Sequence, residues 1–291
     1  MVIDKLLPLA LAFIMFSLGL TLVLDDFKRV LTRPKAMVIG LFGQMLLVPL
    51  FAYVVARLFA LPPEMAIGLM ILAACPGGVS SGLLTHLARG DTALSISLTA
   101  VTSIAAVLSV PLVVEFAMQQ FMHTGTTGTS VQFPLLTMSR GVFLLTTVPV
   151  VLGMSLKAWR PALALRMERP TGRIATALFI LIVLATFVSQ RQVLIDNLAS
   201  VGPAAMLLNL LVLGAGFGLA RVGRLVRRDQ IAIATECGLQ NAGLGIFIAS
   251  SVMQSPAMTV PSVVYALLMN FSAIAFVFLM RRCDANTAAP T

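Results

Sequence analysis

Apolar residues in this chain come in long unbroken runs separated by short stretches rich in Arg, Pro and Gly, not in the half-apolar alternation of a soluble helix or strand. A bilayer-crossing helix needs about 20 such residues, and the runs at about 6–24, 36–61, 65–88, 92–122, 139–159, 174–189, 203–219, 231–253 and 261–280 predict nine spans. The third and eighth runs are interrupted. The third carries Cys75-Pro76-Gly77-Gly78-Val79-Ser80-Ser81-Gly82, where Pro76 removes a backbone donor and clashes with the preceding turn. The eighth carries Glu236, Gln240 and Asn241 among Gly238, Gly243 and Gly245, which permit an unwound helix whose freed carbonyls can coordinate a cation. An ionisable side chain inside a span costs several kcal/mol, so Glu236 needs a partner, a proton or a cation.

Composition narrows the class. With 59% hydrophobic and 11% charged residues over 291 positions and a mean hydropathy of +1.00, the chain reads as one polytopic membrane domain, all α-helical, covering 1–291. The net charge of +9 raises nucleic acid as a partner, but the positions of the charges argue for topology instead. Sixteen of the twenty basic residues, among them Arg33, Lys35, Arg160, Arg166, Arg169 and Arg173, fall in loops on one side of a nine-span layout. The positive-inside rule makes that side the cytoplasm, with the N-terminus outside and the C-terminus inside a bacterial inner membrane. Some of these charges touch anionic lipid headgroups as a by-product, and no obligate protein partner is evident. Cys75, Cys237 and Cys283 show no paired spacing, so neither a disulfide frame nor a zinc site is expected. The first run is read as a span, not a signal peptide, because it is long and runs straight into Asp25 and Asp26. The polar tail 283–291 is expected to be disordered.

The order of features repeats. Spans one to four read plain, plain, broken, plain, and so do spans six to nine, with span five between them. This predicts a first repeat at about 5–122, span five at about 139–159 and a second repeat at about 174–281. An odd number of spans separates equivalent members, so the second repeat crosses the membrane in the opposite sense. Two broken helices in corresponding positions mark the binding site of such carriers.

Around the expected crossing, Glu236 and Gln240 are four apart on one helical face, beside the carbonyls of Cys237 and Leu239. Such oxygens suit a small hard cation, sodium being the natural one; a proton cycling on Glu236 or a basic partner are the other readings. Gln44 in span two is an interhelical hydrogen-bonding residue or a ligand. Ser95 and Thr99 share a face of span four, where hydroxyls also bond back to their own helix. Asn209 lies inside span seven, whose Gly214, Gly216 and Gly218 suit close helix packing.

These residues carry a resemblance. Met15-Phe16-Ser17-Leu18-Gly19-Leu20-Thr21-Leu22, Arg33-Pro34-Lys35, Cys75-Pro76-Gly77-Gly78, Leu87-Ala88-Arg89-Gly90-Asp91 with Ala93-Leu94-Ser95, and above all Glu236-Cys237-Gly238-Leu239-Gln240-Asn241-Ala242-Gly243 resemble the bile acid:sodium symporters across almost the whole chain. The resemblance implies a panel domain and a core domain, two crossed broken helices in the core, and sodium bound behind the crossing. It implies one sodium site at Gln44, Glu236, Gln240 and the carbonyls of Cys237 and Leu239. A second would use Ser81, the residue after it, Ser95, Thr99 and Glu236. The family has Ser-Asn where this chain reads Ser81-Gly82, so that site lacks one amide oxygen; water, Ser80 or a backbone carbonyl could replace it, or the protein could run on one cation. The chain begins at what resembles the second span of ten-span bacterial members.

The resemblance further implies sodium-coupled symport of an organic anion by alternating access, with Asn241, Asn270 and Val79 as candidate substrate contacts and no cofactor. Competing readings are a proton-coupled or uncoupled carrier on the same fold, an arsenite exporter using Cys75 as thiolate, a substrate sensor, and a hydrolase. For the last, Gly78-Val79-Ser80-Ser81-Gly82 and His86 fit a nucleophile motif formally, but that motif requires a strand-turn-helix elbow absent from a helical context.

Overall fold

The computed structural model describes residues 2–78, 80–122 and 135–287, and these are helical almost throughout. Helix α1 (Val2–Thr21) bends by 66° into α2 (Leu24–Thr32). Asp25 and Asp26 occupy the first turn of α2, where the helix dipole favours negative charge, and the Asp26 carboxylate accepts the Val23 N–H at 2.8 Å. The stretch from Asp25 to Arg33, predicted as a loop, is therefore mostly helix. Next come α3 (Pro34–Leu58), α4 (Pro63–Ala74), α5 (Ser81–Leu87), α6 (Thr92–Met122) and α7 (Met138–Trp159). The second part contains α8 (Pro161–Ser189), α9 (Arg191–Val222), α10 (Arg227–Gly238), α11 (Ala242–Val252) and α12 (Val260–Thr287). Among the described residues six helices are long and apolar enough to cross a membrane, or seven if the bent α1–α2 pair counts as one span.

Three boundaries differ from those read in the sequence. The arginine-rich stretch 160–173 is not a loop: α8 begins at Pro161, and its 29 residues extend about 43 Å against a hydrocarbon core of about 30 Å. Its charged turns therefore remain helical, in a helix longer than the apolar layer is thick. By the same overshoot α9 begins at Arg191, twelve residues before Pro203. Helix α12 continues to Thr287, where a disordered tail was expected, and residues 288–291 lie outside the described ones.

The interrupted helices lie deepest. Every residue of α4 from Met65 to Ala74 is buried, as is every residue of α10 from Ile231 to Gly238 and of α11 from Ala242 to Ala249. A helix apolar on all sides is surrounded by protein, and non-helical backbone at membrane depth is tolerated only there. Helices α1 and α7 cross at Gly19 and Gly153, where a Cβ on either would strike the backbone of the other helix. This close approach, with α8 packed alongside, gathers α1, α7 and α8 into one group.

Candidate functional site

Proline chemistry ends α4. The residue before a proline is pushed out of the helical region, and Cys75 is extended at φ −67°, ψ 153°. Helix α10 ends at Gly238, with Leu239 extended at φ −109°, ψ 102°. The two extended segments then pair with each other. Gly78 N–H donates to the Leu239 carbonyl at 2.7 Å, and Asn241 N–H donates to the Pro76 carbonyl at 3.0 Å, forming an antiparallel bridge between Gly77 and Gln240. Backbone groups released by each break are thereby satisfied by the other. Beyond the bridge, the Asn241 side-chain oxygen accepts the Leu244 N–H at 3.1 Å and starts α11.

The glycines work differently from the expectation. Gly243 and Gly245 are helical residues of α11, and among the described residues no glycine has a positive φ. What the breaks require is close approach. A Cβ on Gly77 would run into the Glu236 carboxylate, and one on Gly78 would lie 3.1 Å from the Gln240 carbonyl oxygen.

Glu236 is fully buried. Its Oε1 accepts the Thr99 hydroxyl at 2.7 Å and its Oε2 accepts the Ser95 hydroxyl at 3.1 Å. Ser81 closes the group, with its Oγ 3.3 Å from that of Ser95 and 3.4 Å from that of Thr99. Among the described residues no Lys or Arg pairs with Glu236. Helix α5 supplies Ser81, α6 supplies Ser95 and Thr99, and α10 supplies the carboxylate, so three elements converge on one point. Gly82 leaves room beside this cluster, with only Ile96 within reach of an added Cβ.

On the other side of the bridge lies a pair of amides. The π-helical turn Gly43–Leu47 within α3 presents Gln44, whose Nε2 donates to the Cys75 carbonyl and to Gln240 Oε1, both at 2.9 Å. Gln240 Nε2 donates to the Cys237 carbonyl at 2.8 Å. Three of the five groups of the first expected cation site, the Gln44 and Gln240 amides and the Cys237 carbonyl, are thereby joined, while the fourth, the Glu236 carboxylate, faces the hydroxyls of Ser95 and Thr99. The fifth, the Leu239 carbonyl, points to Gly78 and is already an acceptor. Cys75 donates its thiol to the Ile71 carbonyl of its own helix at 3.2 Å.

A cavity of about 850 Å³ reaches the bridge. Asn241 and Asn270 both line it, as do Gly78, Ser80 and Gln240. Asn270 donates back to the Ala266 carbonyl at 2.8 Å, leaving its side-chain oxygen for other contacts. Val79, the third expected contact, lies outside the described residues.

Two groups of residues here were not singled out in the sequence as parts of the site. Asn209 and Tyr265 both donate to the Gly238 carbonyl, at 2.8 Å and 3.0 Å, and Ser272 donates to the Asn209 oxygen, so they hold the end of α10. Asn209 was visible as a mid-span amide without an assigned task. Glu168, Arg169 and Arg173 line the cavity, and their signal was the four-residue spacing of the arginines, which has meaning only on a helix.

Comparisons with known proteins give the family. The model of the sodium bile acid symporter family matches residues 8–197. An uncharacterized sodium-dependent transporter of Bacillus subtilis (strain 168) is 29% identical over 93% of this chain and 81% of its own length. A probable chloroplastic sodium/metabolite cotransporter of Oryza sativa subsp. japonica is 26% identical over 97% of this chain and 65% of its own. The ileal sodium/bile acid cotransporter of Cricetulus griseus is 30% identical over 84% of this chain and 68% of its own. With its family model matched over well more than half its length, the chain belongs to the sodium bile acid symporter family, a family of membrane transporters and not of enzymes.

Proposed function

We propose that this protein is a secondary active transporter that couples sodium entry to movement of an organic anion by alternating access. One observation carries the reading: a fully buried carboxylate, Glu236, with no cationic partner among the described residues, held by hydroxyls where two broken helices meet. A buried charge of this kind is stable when a cation neutralises it, and the names of the relatives supply sodium as that cation.

Sodium would bind at two places sharing Glu236. One comprises Gln44, Gln240 and the carbonyls of Cys237 and Leu239; the other comprises Ser81, Ser95 and Thr99, one ligand short at Gly82. The substrate would occupy the cavity beside Asn241 and Asn270. Counting the α4–α5 and α10–α11 pairs as spans gives nine crossings, and the antiparallel bridge supports two repeats of opposite sense. The group α1, α7 and α8 would be the panel, moving against a core built on the bridge. The distribution of basic residues supports an outside N-terminus and a cytoplasmic C-terminus in a bacterial inner membrane.

Proteoliposomes test the coupling. An inward sodium gradient should drive accumulation of a labelled organic anion, and a potassium gradient of equal size should not. Accumulation indifferent to sodium, or driven by a proton gradient, would replace this mechanism.

A further inference from the structure

The arginines of the α8 region divide into two sets. Arg160 and Arg166 do not line the cavity, whereas Arg169 and Arg173 do. The latter two are four apart and so share one face of α8, which continues through Thr176 and Phe179 along the same cavity. Between them Gly172 leaves open space where a side chain would stand. Neither guanidinium has a carboxylate partner among the described residues, and Glu168 is the single acidic group in the lining. A purely topological role would ask these arginines to face headgroups alone; it would not ask for two exposed arginines without ion-pair partners in the lining of a cavity that reaches the bridge. Guanidinium groups bind carboxylate and sulfonate through parallel N–H donors, and a cleft with low-dielectric walls concentrates ions of opposite sign.

We infer that Arg169 and Arg173 form the charged half of the substrate site. They take the carboxylate or sulfonate head of an amphipathic anion whose apolar body lies against Leu11, Ile14 and Phe179 and extends towards Asn241. Glu168 leaves the lining with a net charge of one and favours a singly charged ligand over a doubly charged one. This rests on the reading of the cavity as the substrate site of a carrier.

The test is binding of radiolabelled cholate and of its doubly charged 3-sulfate to the full chain in lipid nanodiscs, with and without sodium. Arg169→Gln and Arg173→Gln should each weaken cholate binding by about tenfold or more, the loss expected for a hydrogen bond between charged groups. Arg169→Lys and Arg173→Lys should retain part of the affinity, and Glu168→Gln should narrow the preference for cholate over its sulfate. All variants should keep the melting temperature and the sodium-induced rise in it that wild type shows without any organic anion. Cholate binding unchanged in both Gln variants, or no binding of either probe by wild type, overturns the inference. A missing sodium effect in wild type counts against sodium coupling alone, because the arginine comparison is also made without sodium.

Discussion

Gly77 lies so close to Glu236 that any side chain at position 77 would overlap the carboxylate, although 159 residues separate the two in the chain. The first break is thus shaped around the acid carried by the second helix. Gly77→Ala should displace the carboxylate from Thr99 and Ser95 and destabilise the fold by about 1–3 kcal/mol, as overpacking does. The check is a fall in melting temperature together with a weakened response to sodium. A normal melting temperature and a normal sodium response would show that the contact is dispensable.

Thr99 is the nearer of the two hydroxyls that hold Glu236, at 2.7 Å. Thr99→Val keeps the shape and removes the donor. The loss of a hydrogen bond to a charged group, about 1.5–3 kcal/mol, should raise the sodium concentration needed for half-maximal stabilisation by about tenfold or more. Thr99→Ser should stay close to wild type. Equal sodium responses in the Val and Ser variants would mean that the hydroxyl is structural only.

At Gly82 the relevant chemistry is missing from the side chain but the space for it is present, since an added Cβ would meet only Ile96, at 3.4 Å and beyond. Gly82→Asn should restore an amide oxygen near Ser81 and steepen the sodium dependence of stabilisation. A dependence as shallow as that of wild type would show that one cation site operates with or without the amide.

Arg33 ties together the starts of two helices, donating to Asp91 at 2.6 Å and to Asp229 at 2.8 Å. The Asp229 side chain is only 3% exposed and its other oxygen, Oδ1, has no hydrogen-bond partner. Arg33→Ala removes the hydrogen-bonded counter-ion of that buried carboxylate and leaves only the charge of Arg228 nearby, and breaking such pairs costs about 3–5 kcal/mol when both partners are buried. Because Arg33 itself is partly exposed, the loss should be nearer 2 kcal/mol by the same comparison. It should appear as a lower melting temperature with the sodium-induced rise intact. An unchanged melting temperature would show that the ion pair contributes little.

Much of this was readable from residue order alone. Cys75-Pro76-Gly77-Gly78 announced the first break because proline acts locally, and Glu236 announced the second because a carboxylate in an apolar run needs an explanation. Other features depended on information the sequence holds only indirectly. Arg169 and Arg173 looked like loop residues because of the charge density of the stretch, whereas α8 runs through it without a break. Gly243 and Gly245 looked like parts of an unwound segment, but the unwinding ends at Asn241, whose side chain starts α11. The commitment of the Leu239 carbonyl to Gly78 is a contact between two breaks far apart in sequence, and no local pattern encodes it.

The most direct test of the central claim is the melting temperature of the purified protein as sodium replaces potassium at constant ionic strength, for wild type and Glu236→Gln. A ligand that binds only the folded state stabilises it by RT ln(1 + [L]/Kd), so a sodium site produces a rise that grows with concentration. The account predicts that rise in wild type and its loss in Glu236→Gln, which keeps the size of the side chain and removes its charge. A wild-type melting temperature indifferent to sodium, or an equal rise in the Gln variant, would contradict it.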